Sequence, residues 1–502
     1  MDFSKVTRVN FAFFQLDEEG NIWGTDEWGD PRVLFGDINA NAGDCRHGTP
    51  RCRCSWVEAH YKSCAYHFDS TGLISMAHKA GTDIYPSIGG WTLSDAFSPM
   101  AADSTNRKIF ARNCRNLIVD YGFDGIDLDW EYPGYAAHSG TPADKKNFNL
   151  LLQDVRKELD TLGDETGRFY GLTAALPCGP SNIVNIDIET VSQYLTEFNL
   201  MSYDFHGAWD PKTGVNSPLY DQVSDPQTGW SVDGCVKNWV ARGAPQEKVN
   251  IGLGFYGRSF RGAKGLDVAH VGTDDSSWEI DEGTPQYFNI MDQIDEMSIE
   301  WDNETETPYA YFNDGKGGLV SYDDEQSICL KTEYAIRENL NGFIIWELSG
   351  DVMEDLTTPL LDMINRKLSE TDTNCADPFG PKLPSPIQVT AKLPPMTATV
   401  LPEVTTTTTE IPNTTTKLPN TTSEATTTTS STTTTTSTAR LTTTASTTSF
   451  TTTSSASTQG ATLASSSMDS LPQFIDGRKP VKRDEKKPNK PYRPPKELRA
   501  EL

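Results

Sequence analysis

Short apolar blocks with the character of strands alternate with longer helix-like stretches along residues 1–370. The predicted strands are Val6 to Phe14, Asp83 to Trp91, Phe123 to Tyr132, Tyr170 to Pro177, Phe198 to Phe205, Val249 to Tyr256 and Gly342 to Leu348. The predicted helices are Ser70 to Ala80, Asn106 to Tyr121, Ala143 to Leu162, Ile188 to Leu195, Ser231 to Arg242, Glu325 to Asn339 and Val352 to Leu368. This alternation predicts an α/β fold built on a parallel barrel. Residues 259–322 are too long and too aromatic for a simple loop, so we expect further structure there.

The character of the chain changes after residue 370. Residues 371–404 form a Pro-rich linker, residues 405–470 are rich in Thr and Ser, and residues 471–502 are rich in Lys, Arg and Pro. Such segments cannot bury enough apolar surface to form a core. We therefore predict one large globular domain, an O-glycosylated disordered stalk, and a solvated or wall-associated tail.

Charge limits the partners of this chain. The formal net charge is −27, so polyanions are poor partners, whereas a neutral polymer would not be repelled. A nucleic-acid interpretation of the basic tail is disfavoured, because residues 476–502 carry a single aromatic residue, Tyr492, and interleaved acids. No apolar run is long enough to span a bilayer, so we expect no membrane span.

The segment Gly122 to Pro133 places acids at alternate positions of a predicted buried strand. Successive strand residues point to opposite faces, so Asp127, Asp129 and Glu131 share one side. Neighbours on that side are about 7 Å apart, and burial with like-charge repulsion should keep at least one of the carboxyls protonated. That proton is available for general acid chemistry. A calcium site or a solvated strand fits less well, because large apolar residues alternate with the acids and no oxygen-rich loop follows.

Cysteine usage favours an oxidising compartment. Nine cysteines are present, and Cys45, Cys52, Cys54 and Cys64 are crowded into one loop. Zinc is conceivable there, but the spacing lacks paired C-x2-C motifs, so we favour disulfides. The odd count leaves one thiol unpaired, for which Cys114 is the candidate. Glycosylation acceptor motifs begin at Asn303, Asn413 and Asn420, which is consistent with secretion.

Four segments together resemble one enzyme family. Asp124-Gly-Ile-Asp-Leu-Asp-Trp-Glu131 is similar to the DGxDxDxE signature of family 18 glycoside hydrolases, the chitinases. Ser87 to Trp91 resembles that family's SxGG strand, Met201 to Gly207 its MxYD strand, and Gly342 to Trp346 its last barrel strand. Four motifs in the family's order are far more specific than any one of them.

The resemblance implies a (β/α)8 TIM barrel with a small α+β insertion at about residues 259–322. Val6 to Phe14 resembles the second strand of such a barrel, so the first strand and a secretory signal are expected to be missing from this sequence. Loss of a strand would expose two edges of the barrel. We interpret this as an incomplete N-terminus, with a partner strand or a degenerate protein as alternatives.

The resemblance also implies roles for the acids. Glu131 would protonate the scissile β-1,4 oxygen and then activate water, while the acetamido oxygen of the substrate attacks the anomeric carbon. Asp129 would orient the acetamido N–H, and Asp127 would share a proton with Asp129. Tyr203 would donate to the acetamido oxygen, and Asp204 would steady that strand end.

Aromatic side chains suit the apolar faces of pyranose rings. By resemblance, Trp346 is the floor beneath the cleaved sugar, and the other predicted substrate-binding residues are Trp91, Trp209, Met201, Tyr256, Arg258, Phe13 and Gly90.

These observations predict a secreted, monomeric chitinase that cleaves β-1,4-linked N-acetylglucosamine polymers with retention and needs no metal or cofactor. One alternative is a catalytically silent chitinase-like protein that only binds carbohydrate, and another is an endo-β-N-acetylglucosaminidase that acts on N-glycans. A further alternative is a wall or matrix component with a vestigial barrel. Chitin or chitooligosaccharides are the expected partners, without nucleic acid or membrane.

Overall fold

The computed structural model describes residues 2–26, 29–36, 71–223, 228–279, 282–313, 317–370 and 372–376. The predicted stalk, the basic tail and the Cys45 to Cys64 cluster lie outside the described residues, as does nearly all of the linker. The predictions on them remain predictions.

Twelve strands and eleven α-helices are described. The strands are β1 (Arg8–Leu16), β2 (Ile22–Gly24), β3 (Asp83–Gly89), β4 (Gly125–Asp129), β5 (Gly171–Pro177), β6 (Glu197–Met201), β7 (Val249–Gly254), β8 (Arg258–Phe260), β9 (Met297–Asp302), β10 (Thr307–Phe312), β11 (Leu319–Ser321) and β12 (Gly342–Trp346). The helices are α1 (Gly29–Phe35), α2 (Leu73–Ala80), α3 (Phe97–Ala102), α4 (Ser104–Tyr121), α5 (Asp144–Thr166), α6 (Pro180–Ile183), α7 (Ile188–Val191), α8 (Val232–Ala241), α9 (Tyr287–Gln293), α10 (Glu325–Arg337) and α11 (Pro359–Ser369).

The main sheet has eight strands in the order β12-β7-β6-β5-β4-β3-β1-β2. Neighbouring strands from β12 to β1 are parallel, and only the short β2 pairs antiparallel, with β1. Every strand predicted from the sequence is present, and the predicted α/β, barrel-like fold is confirmed. A parallel sheet of this kind brings the carboxyl ends of its strands to one face.

Several predicted boundaries are wrong, among them the ends of the strand predicted to Phe205 and of the helix predicted to Leu195, which lie at Met201 and Val191. Two others have a visible cause. The predicted strand from Asp83 to Trp91 ends at Gly89, because Gly89 and Gly90 have φ angles of 114° and 96° that a strand cannot continue. The predicted helix from Val352 begins only at Pro359, after a turn in which Met353 N–H donates to the Thr357 carbonyl. Proline is favoured at a first helical position because its missing N–H has no partner there.

The curled sheet is open between β12 and β1, which are not hydrogen-bonded neighbours among the described strands. Most residues of these two strands are half-buried, whereas every residue of β4 and β7 is buried. The opening lies where the sequence predicts a missing strand. Side chains bridge it: the Phe13 and Trp346 rings stack at 5.3 Å, and Asn365 of α11 donates to the Lys5 carbonyl.

The insertion between β7 and α10 forms a second, antiparallel sheet in the order β8-β11-β10-β9, accompanied by α9. Phe260, Ala263 and Leu319 form a small core of their own under this sheet. Strand β8 follows directly on the end of β7, so the insertion stands beside the carboxyl face of the main sheet.

Two disulfides join distant elements. Cys178, after β5, pairs with Cys235 in α8, and Cys329 in α10 pairs with Cys375. Sequence reasoning assigned neither pair. Cys114 is free and buried, as predicted. No helix in the described part of the chain is long and apolar enough to cross a membrane.

Candidate active site

Asp127 is the inner acid of the row on β4 and is almost completely buried. Its carboxylate accepts hydrogen bonds from Ser87 Oγ at 2.7 Å, Thr173 Oγ1 at 2.5 Å and Asn199 Nδ2 at 3.1 Å. Burial raises the pKa of Asp127, while these donors from the neighbouring strands stabilise its charged form. The predicted sharing of a proton with Asp129 remains a prediction.

Asp129, at the end of β4, lacks such support. It is 6% exposed, and its Oδ1 has no hydrogen-bond partner among the described residues. Burial, followed by the charges of Glu131 and Asp127, raises the pKa of Asp129 well above its ordinary value. The two acids of β4 therefore differ: Asp127 accepts hydrogen bonds from neighbouring strands, whereas Asp129 Oδ1 accepts none from the described residues.

Glu131 lies just beyond the strand and is half-buried. Burial raises its pKa to about 7; the Asp204 charge adds to this shift, while hydrogen bonds from the Tyr132 hydroxyl and the Trp91 N–H oppose it. The backbone of Glu131 is fixed on both sides. Its N–H donates to Ser94 Oγ at 2.9 Å, and its carbonyl accepts from His138 Nδ1 at 2.7 Å. A carboxyl with this pKa both gives and takes a proton at neutral pH.

The carboxyl end of β6 supplies Tyr203 and Asp204. Asp204 Oδ1 accepts from the Tyr256 hydroxyl at 2.6 Å and from Arg258 Nε at 2.8 Å. The rings of Tyr203 and Tyr256 are 6.1 Å apart, edge to face. Burial raises the pKa of both phenols well above the usual value, so their hydroxyls stay neutral and serve as donors.

Three tryptophans are exposed at this same face. Trp91, Trp209 and Trp346 are 47%, 42% and 37% exposed, which is unusual for side chains of this size. Each follows or ends a strand of the main sheet, and each is backed by another side chain. Trp346 stacks on Phe13, Trp91 contacts the His138 ring at 4.5 Å, and the Arg258 guanidinium lies 5.0 Å from the Trp209 ring centroid.

The remaining predicted residues lie in or just after β1, β3 and β6. Gly90 N–H donates to the Asp129 carbonyl at 2.8 Å, and a Cβ at Gly90 would meet the Phe13 ring at 2.9 Å. Met201, at the end of β6, is 9% exposed.

The structure thus brings the predicted residues to one face of the sheet. It adds Tyr132, Ser94 and His138, which sequence reasoning missed. Tyr132 was identifiable as the neighbour of Glu131. Ser94 and His138 lie in loops, where no spacing rule points to them. Among the described residues, no group of His, Cys, Asp or Glu is arranged to hold a metal ion.

The comparisons with known proteins agree with this geometry. The family model described as "Glycosyl hydrolases family 18" matches residues 1–351. Chitinase A1 of Niallia circulans is 30% identical over 387 residues, 72% of this chain and 55% of that relative. Endochitinase 1 of Metarhizium robertsii is 30% identical over 356 residues, 69% of this chain and 76% of the relative. The crystal structure of the Ostrinia furnacalis Group IV chitinase has a TM-score of 0.60 at 26% identity and covers 74% of this chain and 93% of its own. The matched stretch is thus about half the length of Chitinase A1 and most of the length of the other two, and the chain belongs to family 18 of the glycosyl hydrolases.

Proposed function

We propose that this chain hydrolyses chitin and chitooligosaccharides, with Glu131 as the general acid and then the general base. The observation that carries the proposal is the state of Glu131, a half-buried carboxyl with a pKa of about 7 at the end of a buried acidic row. Relatives whose names identify them as chitinases support the substrate class. The exposed tryptophans beside Glu131 fit a neutral, flat sugar polymer.

In this mechanism Glu131 protonates the oxygen of the scissile bond, and the 2-acetamido oxygen of the substrate attacks the anomeric carbon. Asp129 orients the acetamido N–H and stabilises the positive oxazolinium ion; its Oδ1 receives no hydrogen bond from the described part of the chain and can accept that N–H. The neutral Tyr203 hydroxyl donates to the acetamido oxygen. Glu131, now ionised, then takes a proton from the incoming water.

Substrate contacts follow from the exposed faces. Trp346 forms the floor at the cleaved unit, and Trp91 and Trp209 stack on flanking units. Arg258 and Tyr256 act on the site through Asp204, to which both donate hydrogen bonds. Phe13, Met201 and Gly90 shape the pocket around these groups.

We assign the protein to the outside of the cell, either secreted or associated with a wall or matrix, and we expect a monomer. The two disulfides support an oxidising compartment, because such bonds are rare in reducing ones.

Release of reducing ends from chitotetraose tests the proposal. The unsubstituted chain should hydrolyse it, and Glu131→Gln should lose about 10²- to 10⁴-fold in turnover while still binding it. The matched control is Glu165→Gln, because Glu165 is an exposed glutamate paired only with Arg115 and should leave turnover unchanged. Proton NMR of the first product should show the β-anomer, since two inversions give retention.

Other outcomes identify the alternatives. Binding of chitotetraose without cleavage would indicate a silent carbohydrate-binding protein, and cleavage of N-glycan cores alone would indicate an endo-β-N-acetylglucosaminidase. Parental turnover in Glu131→Gln would remove Glu131 from its role, and an α-anomer would exclude attack by the acetamido group.

A further inference from the structure

Asn216, in the segment between β6 and α8, is 1% exposed and lies against the active-site strand ends. Its Oδ1 accepts the Asp204 N–H at 3.0 Å, and its Nδ2 donates to the Tyr256 carbonyl at 3.4 Å. Its own N–H donates to Ser321 Oγ at 2.9 Å, and its carbonyl accepts the Phe205 N–H at 3.0 Å. One buried residue therefore bonds to the ends of β6 and β7 and to β11 of the insertion.

We propose that Asn216 is a positioning residue of this site, which holds Asp204 and Tyr256 in register and fixes both to the insertion through Ser321. The proposal rests on the hydrolytic function proposed above. Asn216 is not a catalytic residue, because its side chain bonds to Asp204 and Tyr256 and acts on the site through them.

Asp204 needs such a support because its backbone is strained. Its φ angle is 57°, in the left-handed region that residues other than glycine rarely adopt. An asparagine amide supplies an acceptor for the Asp204 N–H and a donor for the Tyr256 carbonyl from one side chain. Asn216 also packs beside the end of β7: a Cβ at Gly254 would lie 3.0 Å from Tyr256 Cε1 and in van der Waals contact with Asn216 Nδ2 at 3.4 Å.

The bond to Ser321 gives the insertion a second role. Ser321 is fully buried in β11 and is paired in register with Arg258 of β8. Arg258 in turn donates to Asp204. The insertion therefore holds Asp204 from two sides, by a side chain from β8 and by the Asn216 amide anchored on β11.

The position of Asp204 affects the proton on Glu131. Asp204 adds to the upward shift of the Glu131 pKa, and a carboxylate that moved away would contribute less. The other charged and titratable groups around this pair are Asp127 and Asp129 on β4, Tyr132 and His138 after it, Tyr203 after β6, and Tyr256 and Arg258 after β7 and on β8. A substitution at Asn216 leaves all of these side chains in the protein.

The test uses Asn216→Ala in the full chain, with chitotetraose as substrate. We expect kcat to fall about 10- to 100-fold with little change in KM, because small misplacements at a reacting centre are costly. We also expect the descending limb of the kcat/KM profile to move to lower pH, because Asp204 then raises the pKa of Glu131 less. Ser321→Ala should move the limb in the same direction by a smaller amount.

The control is Asn365→Ala, which also removes two hydrogen bonds but lies on α11, far along the chain from Asp204. It should lower the melting temperature without moving the limb. A folded Asn216→Ala with parental kcat and an unmoved limb would overturn the proposal. If Asn216→Ala does not fold, the pH profile of Ser321→Ala is the test. A descending limb at the parental pH in that variant would also overturn the proposal. An unsubstituted chain that fails to cleave chitotetraose would instead contradict the proposed function.

Discussion

Acids are buried at both ends of the main sheet, but the two ends supply them with different partners. At the amino end, Asp124 accepts from Arg168 and His78 at 2.8 Å each and from the Ile84 N–H at 3.0 Å. At the carboxyl end, Asp129 keeps one oxygen without any partner. Asp124 and Asp129 are five positions apart in one segment. The Asp124 carboxylate is hydrogen-bonded to two basic side chains, whereas one Asp129 oxygen has no donor among the described residues.

A second pair of acids shows the same contrast. Glu197, at the start of β6, accepts a hydrogen bond from each terminal nitrogen of Arg8, both at 2.8 Å. Burial opposes its ionisation, but the Arg8 guanidinium holds the pKa of Glu197 below its ordinary value. Glu131 forms no ion pair with any residue that the structure describes, and burial raises its pKa to about 7. Ion pairing stabilises Asp124 and Glu197 at the amino end, whereas Asp129 and Glu131 at the carboxyl end form no ion pair with a described residue and keep raised pKa values.

The largest effect that separates the two ends is expected from Asp129→Asn. The amide cannot stabilise a developing positive charge, so kcat on chitotetraose should fall about 10²- to 10³-fold. The melting temperature should stay constant or rise, because the substitution removes a buried carboxyl without a partner. Steady-state kinetics and thermal denaturation check both. A large loss of stability with parental kcat would show that Asp129 belongs to the structural class of acids.

Asp124→Asn should give the opposite result, a loss of stability with nearly unchanged turnover, and the effect should be smaller. The variant loses two charged hydrogen bonds, to side chains that are themselves 57% and 41% exposed, so we expect a loss of about 2 kcal/mol in unfolding free energy. Turnover should stay within about twofold of the parent, because no reacting atom is touched. Denaturant unfolding measures the loss. Parental stability with reduced turnover would break the proposed division between the two ends.

The strands that carry the acids can be predicted from the sequence, because strands and helices show as patterns among neighbouring residues. Alternating strands and helices locate β4, and the strand period of two puts Asp127 and Asp129 on one side. The family motifs place Tyr203 and Trp346 at ends of other strands. These features depend on neighbours in the chain, which a sequence displays directly.

The missed features depend on contacts between distant segments. Ser94 reaches Glu131 across 37 positions, and Cys178 pairs with a cysteine 57 positions away. Asn216 looks like any loop asparagine until its bonds to Asp204 and Ser321 are seen. The sequence also does not show which acids form ion pairs. Arg8 and Glu197, for example, are 189 positions apart in the chain and meet only in the folded structure.

The pH dependence of kcat/KM for the unsubstituted chain tests the central claim, that Glu131 holds its proton near neutrality because it is buried beside the Asp204 charge and forms no ion pair with a described residue. Its pKa is raised from the ordinary 4.5 to about 7, so the acid form persists below about pH 7 and is lost above it. Measured on chitotetraose from about pH 4 to about pH 9, kcat/KM should decline about tenfold per pH unit beyond a limb near 7. Asp124→Asn should keep the same limb. A decline already complete by about pH 5, or no decline up to about pH 9, would contradict the account.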